Sequence, residues 1–279
     1  MEKVAFDPVR FKEQERNGFN FVADRYEAAM TIASPAVERL LTLAELEVGQ
    51  DVLDVATGPG IIARQVAHLV GPGGRVVGID LAENALEKAR AQATAENLTQ
   101  VTFEVADAEA LGFEDHRFDR VFCAMALMHF PQPEKALLEF RRVLKPKGKL
   151  LASVWSEEAP FISVALATLT RNFPPPKVER PSMFRFGKAA VLAKLVQEAG
   201  FQQIEVESVT LRISFPDPAS YWRNFLDIAG ITTVVLTKQP PEVREHLEKD
   251  VALDLAPYHK NSGGYDLESR IMIVSAKIM

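Results

Sequence analysis

The chain has 279 residues, 47% of them hydrophobic and 25% charged, with a formal net charge of −6. That length buries a sizeable core as one large domain or slightly more, and the acidic balance leaves no basic footprint for nucleic acid. A single cysteine excludes an internal disulfide and any cysteine-built metal cluster, so no metal site is expected and a reducing, cytoplasmic setting fits. Met1 to Arg16 is charged throughout and lacks the apolar stretch of a signal peptide. No apolar run reaches membrane-spanning length, so no membrane partner is expected.

Residues 1–50 read as a helical N-terminal cover. Phe19, Phe21, Val22, Tyr26 and Met30 recur at three- and four-residue steps and give one apolar face. Ser34-Pro35 then opens a second helix, with Val37, Leu40, Leu41 and Leu43 inward. These aromatics either pack on a sheet or, at Tyr26, cover a bound ligand.

The stretch from Asp51 to Asp80 organises everything after it. Val52, Leu53, Val55 and Ala56 form an apolar run with little alternation, the pattern of a parallel strand buried on both faces. Gly58 and Gly60 remove side chains where the backbone must turn and approach a ligand. A helix is expected to begin near Pro59. A second apolar strand ends at Asp80, about 20 residues beyond Gly58, where a carboxylate can accept both hydroxyls of a ribose. The pattern Gly58-x-Gly60-x-x-Ala63 alone fits a nicotinamide dinucleotide equally well. Asp54, inside the first strand, tilts the balance: a carboxylate there repels a pyrophosphate and suits a cationic ligand.

Leu81 to Glu96 is a predicted helix with Ala85, Leu86, Ala89 and Ala93 on one face and Asn97 as its stop. Val101 to Val105 is the third strand, with Asp107 and Ala108 at its end. Phe118 to Ala124 is the fourth strand. It runs into Met125, Met128 and His129, at the sheet edge where open α/β folds bind ligands. Cys123 reads as core packing. His129 is either a structural histidine or a base able to take a proton from a phenol, enol or acidic carbon. His68, His116, His246 and His259 read as surface residues. Pro133 to Leu144 is a helix, the Lys145-Pro146-Lys147-Gly148-Lys149 turn reads as a solvated loop, and Leu150 to Trp155 is the fifth strand.

In order and at consistent spacing, Val52-Leu53-Asp54-Val55-Ala56-Thr57-Gly58-Pro59-Gly60, Val77-Gly78-Ile79-Asp80, Ala106-Asp107-Ala108 and Leu144-Lys145-Pro146-Lys147-Gly148-Lys149 resemble the class I S-adenosylmethionine-dependent methyltransferases. Within these, the chain is similar to the small-molecule type 11 group that includes the ubiquinone/menaquinone methyltransferases. The resemblance implies a Rossmann-like, seven-stranded, mostly parallel sheet with an antiparallel last strand, helices on both faces and helical lid insertions. It implies S-adenosylmethionine as cofactor, S-adenosylhomocysteine as product and a cofactor site at Asp54, Ala56, Thr57, Gly58, Gly60, Asp80, Leu81, Asp107 and Ala108. Asp107 falls near the adenine amino group, with the next backbone N–H towards a ring nitrogen. Ala23-Asp24-Arg25-Tyr26 matches an Ala-x-x-Tyr segment of the family that places Tyr26 over the cofactor, and Phe19 stands where the group usually has a tryptophan. The Tyr-Asp-x-Met-Asn segment of the quinone methyltransferases is absent near the N-terminus, and the cysteines of arsenite methyltransferases are missing.

In this reading residues 51–155 are the cofactor-binding core, 156–186 and 216–260 are lid or substrate insertions, and 187–215 and 261–279 complete the sheet. Pro160 to Phe173 is an amphipathic helix broken by Pro174-Pro175-Pro176, and the loop to Phe186 carries exposed aromatics with Arg180 and Arg185. Tyr221, Trp222 and Phe225 cluster on one face of the second insertion. The expected activity is methyl transfer to a small apolar or aromatic acceptor by in-line displacement, by a monomer or homodimer. His129 is the candidate base. A nicotinamide-dependent oxidoreductase and a protein that binds the cofactor without methyl transfer are the alternatives. The first leaves Asp54 and Asp107 unexplained.

Overall fold

The computed structural model describes residues 5–174, 178 and 180–279. The centre is a seven-stranded sheet: β1 (Asp51–Val55), β2 (Arg75–Asp80), β3 (Val101–Val105), β4 (Phe118–Ala124), β5 (Leu144–Trp155), β6 (Gln202–Phe215) and β7 (Tyr265–Lys277). Its order is β3-β2-β1-β4-β5-β7-β6. Strands β1 to β5 pair in parallel, and β7 runs antiparallel between β5 and β6. Val52, Leu53, Val55, Val121 and Phe122 have no exposed surface, as strands covered on both faces require. Strand order reverses between β1 and β4, so the crevice beyond their carboxyl ends is the fold's natural ligand position.

Helices pack around this sheet. The first, α1 (Pro8–Ala29), is capped by Asp7, whose side chain accepts from the N–H groups of Val9 and Arg10. A short 3₁₀ turn leads to α2 (Ser34–Ala44). Between strands lie α3 (Ile61–Val70), α4 (Glu83–Ala95) and α5 (Pro133–Val143). Beyond β5 come α6 (Pro160–Asn172) and α7 (Ala189–Glu198). The long connection from β6 to β7 carries α8 (Pro218–Ile228), α9 (Gly230–Thr237) and α10 (Pro241–Asp254). These helices lie between the antiparallel partners β6 and β7.

Several local expectations need correction. Helix α3 begins at Ile61, because Gly60 at φ 80° is its left-handed cap and Pro59 belongs to the preceding turn. Phe21 faces outward, 48% exposed, with the Arg25 guanidinium over its ring. The basic turn is not simply solvated. Lys145 bridges Asp119 at 2.7 Å and Asp51 at 3.3 Å, and Lys149 is buried against the Leu43 carbonyl. The segment read as a turn is the first half of β5, where Lys145 ties the strand to the amino ends of β1 and β4 and Lys149 ties it to the end of α2. In the 180–186 loop Phe186 is buried, and Arg185 reaches inward to the carbonyls of Leu127 and Phe130. Burial lowers the Arg185 pKa to about 10. Pro175 and Pro176 lie outside the described residues.

Candidate functional site

The turn after β1 is held by its own acids. Asp54 is buried and its Oδ2 accepts from the Thr57 hydroxyl at 2.6 Å and the Ala63 N–H at 3.1 Å. Burial outweighs those bonds and raises the Asp54 pKa to about 7. Asp80 accepts from the N–H of Gly58 at 2.9 Å and of Ala82 at 2.8 Å. Burial pushes its pKa upward too, against the pull of these N–H donors. The Gly60 N–H goes to the Thr57 carbonyl, and that of Thr57 to the Ile79 carbonyl. The N–H groups of Thr57, Gly58, Gly60 and Ala63 are therefore engaged by Asp54, Asp80 and carbonyl oxygens, which fixes the shape of the turn.

A cavity of about 350 Å³ opens above this turn, within the size range of cofactor sites. Asp54, Ala56, Thr57, Gly58, Asp80, Leu81, Asp107, Ala108, Tyr26 and His129 all line it. Gly58, at φ 54°, has open space where a side chain would stand, so the backbone is bare to the cavity. Gly60 does not line it. A Cβ there would press on Ala89 and Phe103, so this glycine serves helix–strand packing. Asp107 caps its own turn through the Glu109 N–H.

Sequence reasoning missed what α1 brings across the sheet edge. Lys12 Nζ sits 2.6 Å from both Asp107 and Glu109, and those bonds raise its pKa despite the opposing effect of burial. Glu15 Oε2 lies 2.8 Å from His129 Nδ1, supplying the partner that the histidine lacks in the linear reading. Arg180 reaches the same region, 2.8 Å from Gln14 and 3.4 Å from Glu15, with its guanidinium over the Phe11 ring. Only the charge density of residues 8–16 hinted at any of this.

A second cavity, about 130 Å³, adjoins the first. Its walls include Phe11, Met128, Trp155, Ile162, Met183, Phe225 and the start of α9. Glu15, Phe19, Tyr26, Met30, Met125 and His129 line both cavities and form the neck between them. Phe19 stands edge-on to His129 and to Tyr26, with centroids 5.2 and 5.8 Å away. Burial and Asp80 raise the Tyr26 pKa, so its phenol stays protonated. Met125 holds a left-handed φ of 54° just beyond β4, fixed by its N–H bond to the Ser153 carbonyl.

A doubly wound sheet with acids at three successive strand ends, two of them holding the turn under the cavity, has the architecture of an adenosyl-cofactor protein of the methyltransferase class. A family model described as a methyltransferase domain matches residues 46–189, and the chain belongs to that S-adenosylmethionine-dependent family. Among curated relatives it is 38% identical over 146 residues to a ubiquinone/menaquinone biosynthesis C-methyltransferase UbiE of Bordetella avium, covering 50% of this chain and 57% of that one. The corresponding enzyme of Bordetella parapertussis is 31% identical over 213 residues, covering 70% of this chain and 82% of its own length. A solved Bacillus halodurans structure, provisionally named a methyltransferase, aligns with TM-score 0.58 and 26% identity over 86% of this chain and 97% of its own. Among the described residues no helix is long and apolar enough to cross a membrane.

Proposed function

We propose that the chain methylates a small apolar or aromatic molecule bound in the second cavity, with the cofactor in the first. The carrying observation is the neck shared by two cavities of unlike character, one edged by acids and bare backbone and the other walled by aromatics and methionines. S-adenosylmethionine, when bound, supplies an electrophilic methyl group for in-line displacement. Asp80 holds the ribose hydroxyls while keeping the Gly58 turn in place. Asp107 and the Ala108 N–H take the adenine edge. Asp54, under the turn, would supply negative charge on the side of a sulfonium once ionised, above its pKa of about 7. Leu81, Ala56, Thr57 and Tyr26 enclose these groups and exclude water. His129, at the neck, is the residue placed to take a proton from the acceptor, and Phe19 fixes its ring plane. Most of the chain's work is positioning, worth up to roughly 7–11 kcal/mol in well-aligned systems.

Calorimetric titration with S-adenosylmethionine, S-adenosylhomocysteine and NAD(H) tests the first cavity. Micromolar binding of the adenosyl compounds and none of NAD(H) is expected. An acceptor screen read by S-adenosylhomocysteine release and methyl incorporation tests the second. Turnover of hydrophilic acceptors alone would overturn the apolar assignment.

A further inference from the structure

His129 has no second protein partner among the described residues. A carboxylate only accepts, so the short contact with Glu15 places a proton on Nδ1 and leaves Nε2 as the ring nitrogen with no protein partner among the described residues. Glu15 is 14% exposed and His129 20%. The pair therefore sits in a partly desolvated position at the neck, where its tautomer is fixed. The carboxylate comes from α1 and the imidazole from the segment after β4, so the pair exists only while α1 lies across the sheet edge.

The second cavity narrows the acceptor further. Its volume of about 130 Å³ is close to the roughly 150 Å³ that holds one benzene-sized ring. Glu15 is engaged by both His129 and Arg180, so it is not available to hold an ammonium group. Arg180 adds a positive charge that favours an oxygen anion. The groups facing His129 are Glu15 and Tyr26 of α1, Asp80 at the end of β2 and Arg180 of the 180–186 loop.

We propose that Glu15 is the positioning residue for His129, and that the acceptor is a single-ring molecule bearing a weakly acidic hydroxyl, a phenol or stable enol. This rests on the methyltransferase reading of the two cavities. In the step, the acceptor's O–H bond breaks and its electron pair stays on oxygen. The proton adds to Nε2, giving an imidazolium bonded through Nδ1 to Glu15. The oxyanion is then nucleophilic at oxygen and, by conjugation, at the adjacent ring carbon, so O- and C-methyl products are two outcomes of one activation.

The test uses 4-nitrophenol and the full-length protein loaded with S-adenosylhomocysteine, because the phenolate's visible absorbance reports proton loss without turnover. Bound probe should ionise about tenfold more readily than free probe at the same pH, a one-unit shift. His129→Gln should abolish the shift. Glu15→Ala should remove most of it and Glu15→Asp restore part, each variant being read at saturating S-adenosylhomocysteine. Nitrogen NMR of the unaltered complex should show His129 protonated at Nδ1 and bare at Nε2, a readout independent of how the variants fold. The opposite tautomer, or a shift that survives both Glu15→Ala and His129→Gln, overturns the proposal. Failure of 4-nitrophenol to bind while S-adenosylhomocysteine binds overturns the acceptor class alone. Failure of S-adenosylhomocysteine to bind overturns the underlying reading.

Discussion

The two halves of the site are built by opposite means. On the cofactor side the contacts are short in sequence: Asp54 reaches Thr57 and Ala63, 3 and 9 residues on, and Gly58 reaches Asp80, 22 residues on. On the acceptor side they close long loops: Glu15 to His129 spans 114 residues and Arg180 to Glu15 spans 165. The first half forms wherever successive parallel strands end in the right residues. The second forms only when the N-terminal helix and the late insertions fold back over the sheet. Perturbing the first should strike cofactor affinity, and perturbing the second should strike acceptor handling and stability.

The largest effect should come from Asp80→Asn. The change keeps the shape but removes an ionic acceptor facing two backbone N–H groups and the expected ribose position. Charged hydrogen bonds contribute about 1.5–3 kcal/mol each, so S-adenosylhomocysteine affinity should fall about 100-fold by calorimetry. A fall under about threefold would mean that this acid shapes the turn without touching the ligand.

Gly18→Ala probes the other half. Gly18 lies where α1 crosses α9, and a methyl there runs into the backbone of Gly230 and Ile231. Overpacking of this kind costs about 1–3 kcal/mol, visible as a lower urea midpoint. Cofactor affinity should change far less than in Asp80→Asn. Comparable loss of both would erase the distinction between the halves.

This contrast also sets what was legible in the sequence. The first five strands, the turn after β1 and the acids at the ends of β2 and β3 follow from apolar runs and glycine spacing, because period and punctuation are local. The packing role of Gly60 against Ala89 and Phe103 was not legible, because a glycine that packs a helix and one that faces a ligand look alike in one dimension. Glu15 and Lys12 were invisible as site residues. On a charged helix nothing local distinguishes a solvated acid from one that meets a histidine 114 residues away. Arg185 was read as a loop cation because only the folded chain buries it against the Leu127 and Phe130 carbonyls.

Asp54 links the cofactor cavity's chemistry to pH. Its pKa is raised to about 7 by burial, above the unfolded value near 3.9. The folded state therefore binds more protons between those limits, and the unliganded protein should lose stability as pH rises from about 4 to about 7, then level off. Above about 7 the carboxylate is charged and favours a sulfonium over the neutral thioether. The ratio of S-adenosylmethionine to S-adenosylhomocysteine affinity should rise through that range by about 1 kcal/mol, the scale of a screened charge pair. Asp54→Asn should flatten both trends. A pH-independent ratio in the native protein would remove Asp54 from any charge role.

The smallest effect, and the one that asks whether the two halves are coupled, belongs to Lys12→Met. Lys12 carries α1 to the mouth of the cofactor cavity, where it meets both Asp107 and Glu109. Asp107 is about one-third exposed, at 34%, so solvent weakens the pair and its contribution should be about 1 kcal/mol or less. Methionine keeps the apolar stem and removes the charge. If α1 is a cover pinned by this contact, S-adenosylhomocysteine should dissociate about three- to fivefold faster from the variant, by stopped-flow fluorescence. Added salt should push the native protein towards the same rate, because a partly exposed pair is screened. An unchanged dissociation rate, together with an intact nitrophenol response, would show that α1 serves the acceptor side alone. The two halves would then be independent in energy although they share a wall.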